Sequence, residues 1–282
     1  MDTELLKTFM EVSRTRHFGR AAENLYLTQS AVSFRIRQLE SLLGVDLFVR
    51  QRNNIQLTAA GERLIPLAES SVELEQRIRQ EVASITGKQQ QLLIGATPTL
   101  WEAWLQGYLS NCIDSLPDIT LTALSHSSTN LVRQLVERTL DLAFVLDAPK
   151  VDELTTVEVK QLPLYLVTAQ QYEGNWQETL MDNYVLVDWG TSFQMQHAQE
   201  IKANISPSLR TNTGRIALDY ILKNSGTAYL PLALAQAEIE AGNLNLVTGA
   251  PVLIRTIYAS FHAASGREEL INTVIDLIDG LE

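Results

Sequence analysis

One stretch of the sequence, Gly19–Leu39, constrains the fold of this chain more than any other. Its first half places Ala21, Ala22 and Leu25 on one side of a short helix. Thr28 then marks the start of a second helix, because a threonine hydroxyl accepts hydrogen bonds from backbone N–H groups that have no helical partner. The second helix has an apolar stripe, which consists of Val32, Ile36 and Leu39. Two helices joined by a tight turn predict a helix-turn-helix.

The outer face of the second helix is polar and basic, and we expect it to bind DNA. Its residues are Thr28, Gln29, Ser30, Ser33, Phe34, Arg35 and Arg37. The second helix of such a motif lies in the major groove, where glutamine pairs with adenine and arginine with guanine. Base contacts are therefore expected from Gln29, Ser30, Ser33 and Arg35. The pattern alone leaves an alternative open, since an Ala-rich helix before a basic amphipathic helix also occurs in proteins that do not bind DNA.

Two short extended stretches, Leu47–Val49 and Asn54–Leu57, predict a two-stranded hairpin, called the wing below. Arg50, Arg52 and Asn53 lie at its tip, where basic and polar side chains reach DNA phosphates or the minor groove. The alternative is a charged turn that is only solvated. Phe34 either contacts a thymine methyl group or packs against the wing.

The distribution of charge supports DNA binding, although the net charge of the whole chain is −11. Residues 1–90 carry 12 Lys or Arg and 11 Asp or Glu, whereas the remaining residues carry 10 and 22. Within Arg14–Arg52, seven arginines stand against three acids. Because local potential rather than total charge attracts a polyanion, the acidic average does not exclude DNA.

The first part of the chain, Met1–Pro66, resembles the winged helix-turn-helix domain of LysR-type transcriptional regulators. The segments that carry the resemblance are Leu5–Phe9 (LLKTF), Ala21–Ala22, Gln29–Ser33 (QSAVS), Ile36–Glu40 (IRQLE), Leu43–Phe48 (LGVDLF) and Leu57–Gly61 (LTAAG). Phe34 departs from the family, in which many members have arginine there. Arg16, His17 and Gly19 also replace small polar residues. The resemblance implies a sequence-specific regulator of transcription, here expected to be a repressor, with RNA polymerase as a further possible partner.

A long helix is predicted from Thr58 towards Thr86. Its apolar residues have the spacing of a two-helix seam, and those expected at a dimer interface are Leu67, Leu74, Ile78, Val82 and Ile85. Packing within one chain is the alternative. The family resemblance favours a dimer, and it implies that effector domains also pair to give a tetramer.

Beyond residue 91 strands alternate with helices, which is typical of α/β units with parallel sheets. This half resembles the effector domain of LysR-type regulators, which is built like a periplasmic binding protein. The expected organisation is a DNA-binding domain at 1–58, a linker helix at 59–88 and an effector domain at 89–282. Subdomain I would comprise 92–162 and 260–282, and subdomain II 163–259. Gln161–Thr168 and Tyr258–Phe261 would be the strands that cross between them.

We expect a small-molecule effector at the carboxyl ends of the strands, where α/β domains bind ligands. Hydroxyl groups follow two predicted strands of subdomain I, at Thr97, Thr99, Ser127, Ser128 and Thr129, and they would lie beside helix N-termini. Trp189 and Phe193 are expected to close over them from subdomain II. Alternatively, these hydroxyls cap helices and bind no ligand.

Motifs of common enzymes, such as GxSxG, HExxH and GxxxxGK[ST], do not occur. The four histidines are scattered, so neither a metal nor a cofactor is expected. The single cysteine, Cys112, is expected in the core.

The N-terminus lacks a signal peptide and no long apolar run occurs, so we expect a cytoplasmic protein without a membrane partner. Two functions remain: a ligand-modulated transcription factor, or a cytoplasmic small-molecule-binding protein whose N-terminal helices serve only assembly.

Overall fold

The computed structural model describes residues 2–51, 54–84, 90–170, 175–201 and 205–279. The chain divides into two units, Met1–Lys88 and Gln89–Glu282. The elements of the first unit are α1 (Thr3–Thr15), α2 (Phe18–Asn24), α3 (Gln29–Leu43), β1 (Phe48–Gln51), β2 (Asn54–Leu57) and α4 (Ala59–Ser84). Three residues with a predicted role lie outside the described residues: Arg52 and Asn53, predicted to bind DNA, and Ile85, predicted at the dimer interface.

The helix-turn-helix is confirmed as α2 and α3. The stripe of α3, formed by Val32, Ile36 and Leu39, is fully buried against α1 and α2. Thr28 caps α3, since its Oγ1 accepts a hydrogen bond from the backbone N–H of Ala31 at 3.2 Å. The apolar residues that predicted the helix therefore also pack α3 against the core, and the other face of α3 stays exposed.

The predicted wing is confirmed as an antiparallel pair in which Phe48 lies opposite Leu57 and Arg50 opposite Ile55. A carboxylate links the wing to α3, because Oε1 of Glu40 accepts from the backbone N–H of Leu47 at 3.0 Å. The long helix is confirmed as α4, which continues through Pro66.

The second unit is an α/β structure that begins with β3 (Gln90–Ala96). Its other strands are β4 (Ile119–Ser125), β5 (Leu142–Val145), β6 (Leu154–Thr168), β7 (Tyr184–Val187), β8 (Leu209–Thr211), β9 (Thr227–Pro231), β10 (Asn245–Leu246) and β11 (Leu253–His262). Its helices are α5 (Pro98–Ala103), α6 (Leu109–Ser115), α7 (Ser128–Val136), α8 (Thr191–Glu200), α9 (Gly214–Asn224), α10 (Leu232–Glu240) and α11 (Glu268–Asp279). Helical spacing over Leu100–Leu109 corresponds to α5 and a 3₁₀ turn, Leu105–Tyr108. Cys112 on α6 is buried, as expected.

The strands of this unit form two lobes. The sheet order is β4-β3-β5-β11-β6-β9-β7-β8, and β10 pairs with β6. In lobe I, β3 is parallel to β4 and β5, and in lobe II, β7 is parallel to β8 and β9. The strands β6 and β11 are antiparallel to each other and connect the two parallel groups. They contain the predicted crossing strands and are longer than predicted. This architecture confirms the expected fold class, with a winged helix-turn-helix, a long helix and a two-lobed α/β domain.

None of the helices in the described part of the chain has the length and apolar character needed to cross a membrane.

Candidate functional site

The open face of α3 presents most of the predicted DNA-binding residues together. Thr28, Gln29, Ser30 and Arg37 are exposed, and Ser33 is half-buried beside them. Phe34 is 61% exposed, which does not agree with packing against the wing. The result is a surface of amide, hydroxyl, aromatic and guanidinium groups on one side of the helix.

Arg35 differs from its predicted position on this face. Its Nη1 donates to Oγ1 of Thr8 at 3.2 Å and lies 3.5 Å from Oε2 of Glu4, so the guanidinium is turned towards α1. Arg35 directly precedes Ile36, which is fully buried. The side chain therefore lies at the edge of the packed stripe, and in this conformation it does not join the open face.

Tyr26 is an exposed aromatic residue that sequence reasoning missed. It lies in the turn between α2 and α3, it is 96% exposed and its φ is 54°. A positive φ is unusual for a residue with a side chain. Its place in the sequence could have indicated a role in DNA binding, because Tyr26 lies only two residues before Thr28, the N-cap of α3.

An apolar stripe on α4 is open in the single chain. Leu67, Leu74, Ile78 and Val82 are each between 43% and 60% exposed. The neighbouring face of the same helix is used within the unit, because Ala68 is fully buried in the N-terminal core and Leu64 packs against it. The two faces of α4 therefore differ, and the described residues leave one of them largely uncovered.

The second unit has a cavity of about 140 Å³ at the carboxyl ends of its strands. It brings together most of the predicted effector-binding hydroxyls with residues of lobe II. Its lining consists of Thr97, Pro98, Thr99, Ser127, Ser128, Leu146, Asp147, Asp188, Gly190 and Asn212. Thr129 is exposed and is not part of that lining. Ser127 also caps α7, because its Oγ accepts from the backbone N–H of Asn130 at 3.4 Å.

Trp189 and Phe193 do not close over the cavity, and this part of the prediction is wrong. Trp189 is fully buried, and its Nε1 donates to the backbone oxygen of Tyr229 at 3.0 Å. Phe193 is 1% exposed and packs against the rings of His197 and Tyr229. Both aromatic side chains belong to the core of lobe II, since burying them removes a large apolar area from water.

A charged pair that the sequence analysis missed joins the lobes beside the cavity. Oδ1 of Asp147 lies 2.7 Å from Nη2 of Arg255, a residue of β11 that is 3% exposed. The same carboxylate accepts from the backbone N–H of Thr191 at 2.7 Å, at the start of α8. Burial raises the pKa of Asp147, but the Thr191 hydrogen bond and the Arg255 charge outweigh it and leave the pKa below its usual value. Asp147 is therefore held as a carboxylate.

The other bonds of Arg255 also connect the lobes. Its Nε donates to the backbone oxygen of Trp189 at 2.8 Å, and its Nη2 donates to that of Leu146. Gly190 has a φ of 87°, and a Cβ at this position would lie 2.7 Å from Oδ2 of Asp147. Glycine is therefore needed here both for the backbone conformation and for the approach of the carboxylate.

Two further contacts connect lobe I with the start of α9. Oε2 of Glu102 accepts from the backbone N–H of Arg215 at 3.1 Å. The hydroxyl of Thr99 donates to the backbone oxygen of Asn212. The predicted hydroxyl is therefore part of an interlobe contact as well as of the cavity wall.

Comparison with known proteins agrees with this combination of domains. Residues 3–62 match the model of the bacterial regulatory helix-turn-helix protein, lysR family, and residues 86–281 match the model of the LysR substrate binding domain. The chain belongs to the LysR family and is a DNA-binding transcriptional regulator with a substrate-binding domain. The alternative in which the N-terminal helices serve only assembly is thereby set aside.

Among its relatives is the HTH-type transcriptional regulator HdfR of Escherichia coli O139:H28 (strain E24377A / ETEC). The two sequences are 43% identical over 282 residues, which cover 98% of each chain. HdfR of Escherichia coli (strain SE11) has the same identity and coverage.

Solved structures share the fold at lower identity. CbnR, a LysR family transcriptional regulator, has a TM-score of 0.78 at 20% identity, with 98% of this chain and 99% of that chain covered. Full-length CbnR complexed with its target DNA has a TM-score of 0.77 at 19% identity, with 99% of each chain covered.

Proposed function

We propose that this regulator reads its operator through the open face of α3. Gln29, Ser30 and Ser33 contact base edges, and Phe34 contacts a thymine methyl group. Arg37, farther along the helix, contacts phosphates. The observation that carries this proposal is the exposure of these side chains on one face, while the opposite face is fully buried.

The wing contributes contacts outside the major groove. Arg50, Arg52 and Asn53 bind phosphates or the edge of the minor groove, as the wing of a DNA-binding domain does when its tip is basic. Support comes from the sequence and from the antiparallel pairing of β1 with β2, since Arg52 and Asn53 stand between these strands in the sequence.

Two chains form a dimer through α4, with Leu67, Leu74, Ile78, Val82 and Ile85 at the seam. Its support is the exposed apolar stripe, because aliphatic side chains at such spacing pack against a second helix. A two-fold dimer places two reading helices on successive major-groove faces, so the operator is an interrupted palindrome with half-sites about one helical turn apart. Pairing of the substrate-binding domains extends the dimer to a tetramer.

The cavity between the lobes binds a small-molecule effector. Thr97, Thr99, Ser127 and Ser128 contribute hydroxyl groups from lobe I, and lobe II contributes Asp188, Gly190 and Asn212. Thr129, Trp189 and Phe193 are not part of this site.

The protein acts in the cytoplasm, has no catalytic activity and contacts RNA polymerase when it controls transcription.

The target we propose is the flagellar master operon, on which this protein acts as a repressor. Apart from the helix-turn-helix, the segments Leu100–Glu102 (LWE), Ala148–Lys150 (APK) and Trp189–Gln194 support this target, since they resemble the enterobacterial LysR-type repressor of that operon.

Footprinting and gel shifts with the full chain test the proposal. We expect a footprint with two half-sites on the promoter of the flagellar master operon, and weaker binding to random DNA of the same length. Gln29→Ala should reduce the preference for that promoter, whereas Gln76→Ala, at an exposed glutamine of α4, should not. Equal affinity of the unmodified protein for both DNAs would refute the target, and no binding to any genomic site would refute the DNA-reading surface.

A further inference from the structure

The two helix N-termini of lobe II that lie beside the cavity are occupied by carboxylates of lobe I. Asp147 accepts from the first backbone N–H groups of α8, at 2.7 Å from Thr191 and 3.5 Å from Ser192. Glu102 accepts from the backbone N–H of Arg215 in α9, a helix that begins directly after the cavity-lining segment at Asn212. Helix N-termini are the groups that usually attract anions. On the side of lobe II, an anionic ligand would therefore compete with the carboxylates of the chain itself.

Arg255, whose guanidinium lies close to the cavity-lining residue Gly190, already has partners within the chain. Arg255 is 3% exposed, and its guanidinium is bonded to Asp147 and to the backbone oxygens of Leu146 and Trp189. None of the described residues that line the cavity is lysine or arginine. An anion entering the cavity would meet no mobile cation there.

A negative charge remains on the wall of lobe II. Asp188 is exposed, and its Oδ1 accepts from the backbone N–H of Gly190 at 3.1 Å and from Nε2 of Gln194 at 3.5 Å. Both donors are uncharged amide groups, so neither of them forms an ion pair with the carboxylate. Hydroxyl oxygens of Ser127 and Ser128 line the same cavity from lobe I. An ammonium group has three N–H donors and no acceptor, and such a wall of one carboxylate and several hydroxyls can accept all of them.

We infer that the effector of this regulator is a small molecule with a protonated amine, which pairs with Asp188 and donates to the hydroxyls of lobe I. This inference rests on the proposed role of the cavity as the effector site. The cavity volume of about 140 Å³ can accommodate the amine end of such a ligand. Because the ligand contacts both lobes, binding adds a bridge to those that Asp147 and Glu102 already form.

Calorimetric titration of the full chain with three matched probes tests this inference. The probes are 3-amino-1-propanol, 1,3-propanediol and 3-hydroxypropionate, which differ in charge and are similar in size. We expect the amine to bind about tenfold more tightly than the diol, since a hydrogen bond to a charged group is worth about one factor of ten, and the acid to bind most weakly. Asp188→Asn keeps an acceptor for the Gly190 N–H and should abolish the preference for the amine. Asp182→Asn, the same change at an exposed aspartate outside the cavity lining, should leave it unchanged.

Two results would overturn the inference while leaving the cavity as the effector site. One is tighter binding of the acid than of the amine, above all if Asp147→Asn strengthens binding of the acid. The other is amine binding that Asp188→Asn does not weaken. A different outcome would refute the site itself: no probe binds, or amine binding persists unchanged in Ser128→Leu, a change that replaces a hydroxyl of the cavity wall with a larger apolar side chain.

Discussion

Substitution of Ile78 by glutamate tests the proposed dimer at the centre of its seam. Ile78 is 55% exposed in the single chain, so a partner helix would cover about half of its side chain. Full burial of an isoleucine side chain contributes roughly 1.5–3 kcal/mol. Half of this value, lost in each of two protomers, comes to about 1.5–3 kcal/mol. Two carboxylates facing each other across the seam add about 1 kcal/mol of repulsion if they remain solvated.

The total of about 2.5–4 kcal/mol corresponds to a dimer weakened by roughly two to three orders of magnitude. The DNA-binding domain of a single chain makes too few contacts for specific affinity, so we expect Ile78→Glu to lose the operator footprint as well. Sedimentation of the full chain over a dilution series measures the first effect, and DNase footprinting measures the second. Circular dichroism should be unchanged, because the residue is not part of the N-terminal core.

Gln76→Glu is a matched control for this experiment. It introduces the same charge on the same helix at an exposed residue two positions away, which points to a different side. It should sediment and bind like the unmodified chain. The reasoning fails if the unmodified chain is monomeric at concentrations that give a full footprint, or if Ile78→Glu retains both dimer and footprint.

Four further changes test other parts of the structure. Tyr26→Phe should weaken binding to operator and random DNA alike without changing the salt dependence, since an uncharged hydroxyl at the turn releases no counterion on binding; gel shifts at several salt concentrations measure this. Arg52→Ala should instead reduce the slope of log K against log salt by about one, and an unchanged slope would exclude a phosphate contact. Arg35→Ala should leave the ratio of operator to random affinity unchanged, because its guanidinium is bonded to α1; a loss of about 1–3 kcal/mol in operator binding alone would restore it as a base contact. Burial lowers the pKa of His197, so the unfolded chain takes up a proton that the folded chain does not as pH falls below about 6.5. Stability in urea should therefore decrease below that pH, and His197→Gln should reduce this decrease.

The elements that could be predicted are those with a local physical cause. The stripe of Val32, Ile36 and Leu39 is buried because any helix with this spacing presents one apolar side. Thr28 caps α3 through its own hydroxyl, three residues from its donor. Strand and helix alternation likewise predicted the α/β half, with differences of a few residues at the ends of elements. In each case the pattern that predicts the element lies within a short segment of the sequence.

The wrong or missing predictions depend on partners that are far away in the sequence. Arg35 was placed on the open face by helical geometry, but its direction depends on Thr8 in another helix. Trp189 follows a strand in a position where it could line a cleft, yet the backbone oxygen of Tyr229 holds its indole in the core. The local sequence does not indicate the direction of the Arg35 side chain or the burial of the Trp189 indole, since each depends on a partner from a distant segment.

Two acidic residues of the substrate-binding half form contacts between the lobes that are distant in the sequence, and these contacts bear on how an effector could act. Asp147 and Glu102 hold helix N-termini of the opposite lobe through charge-assisted hydrogen bonds, which are stronger than hydrogen bonds between neutral groups. The lobes are thus connected without any ligand, so an effector does not have to create the contact between them. A ligand shifts a conformational equilibrium only by the difference between its affinities for the two states. In the proposed effector site that difference would come from the part of the cavity wall that the chain does not already neutralise, which Asp188 of lobe II lines together with hydroxyls of lobe I. Its regulation is then expected to depend on Asp188 more than on Asp147, although Asp147 makes more hydrogen bonds.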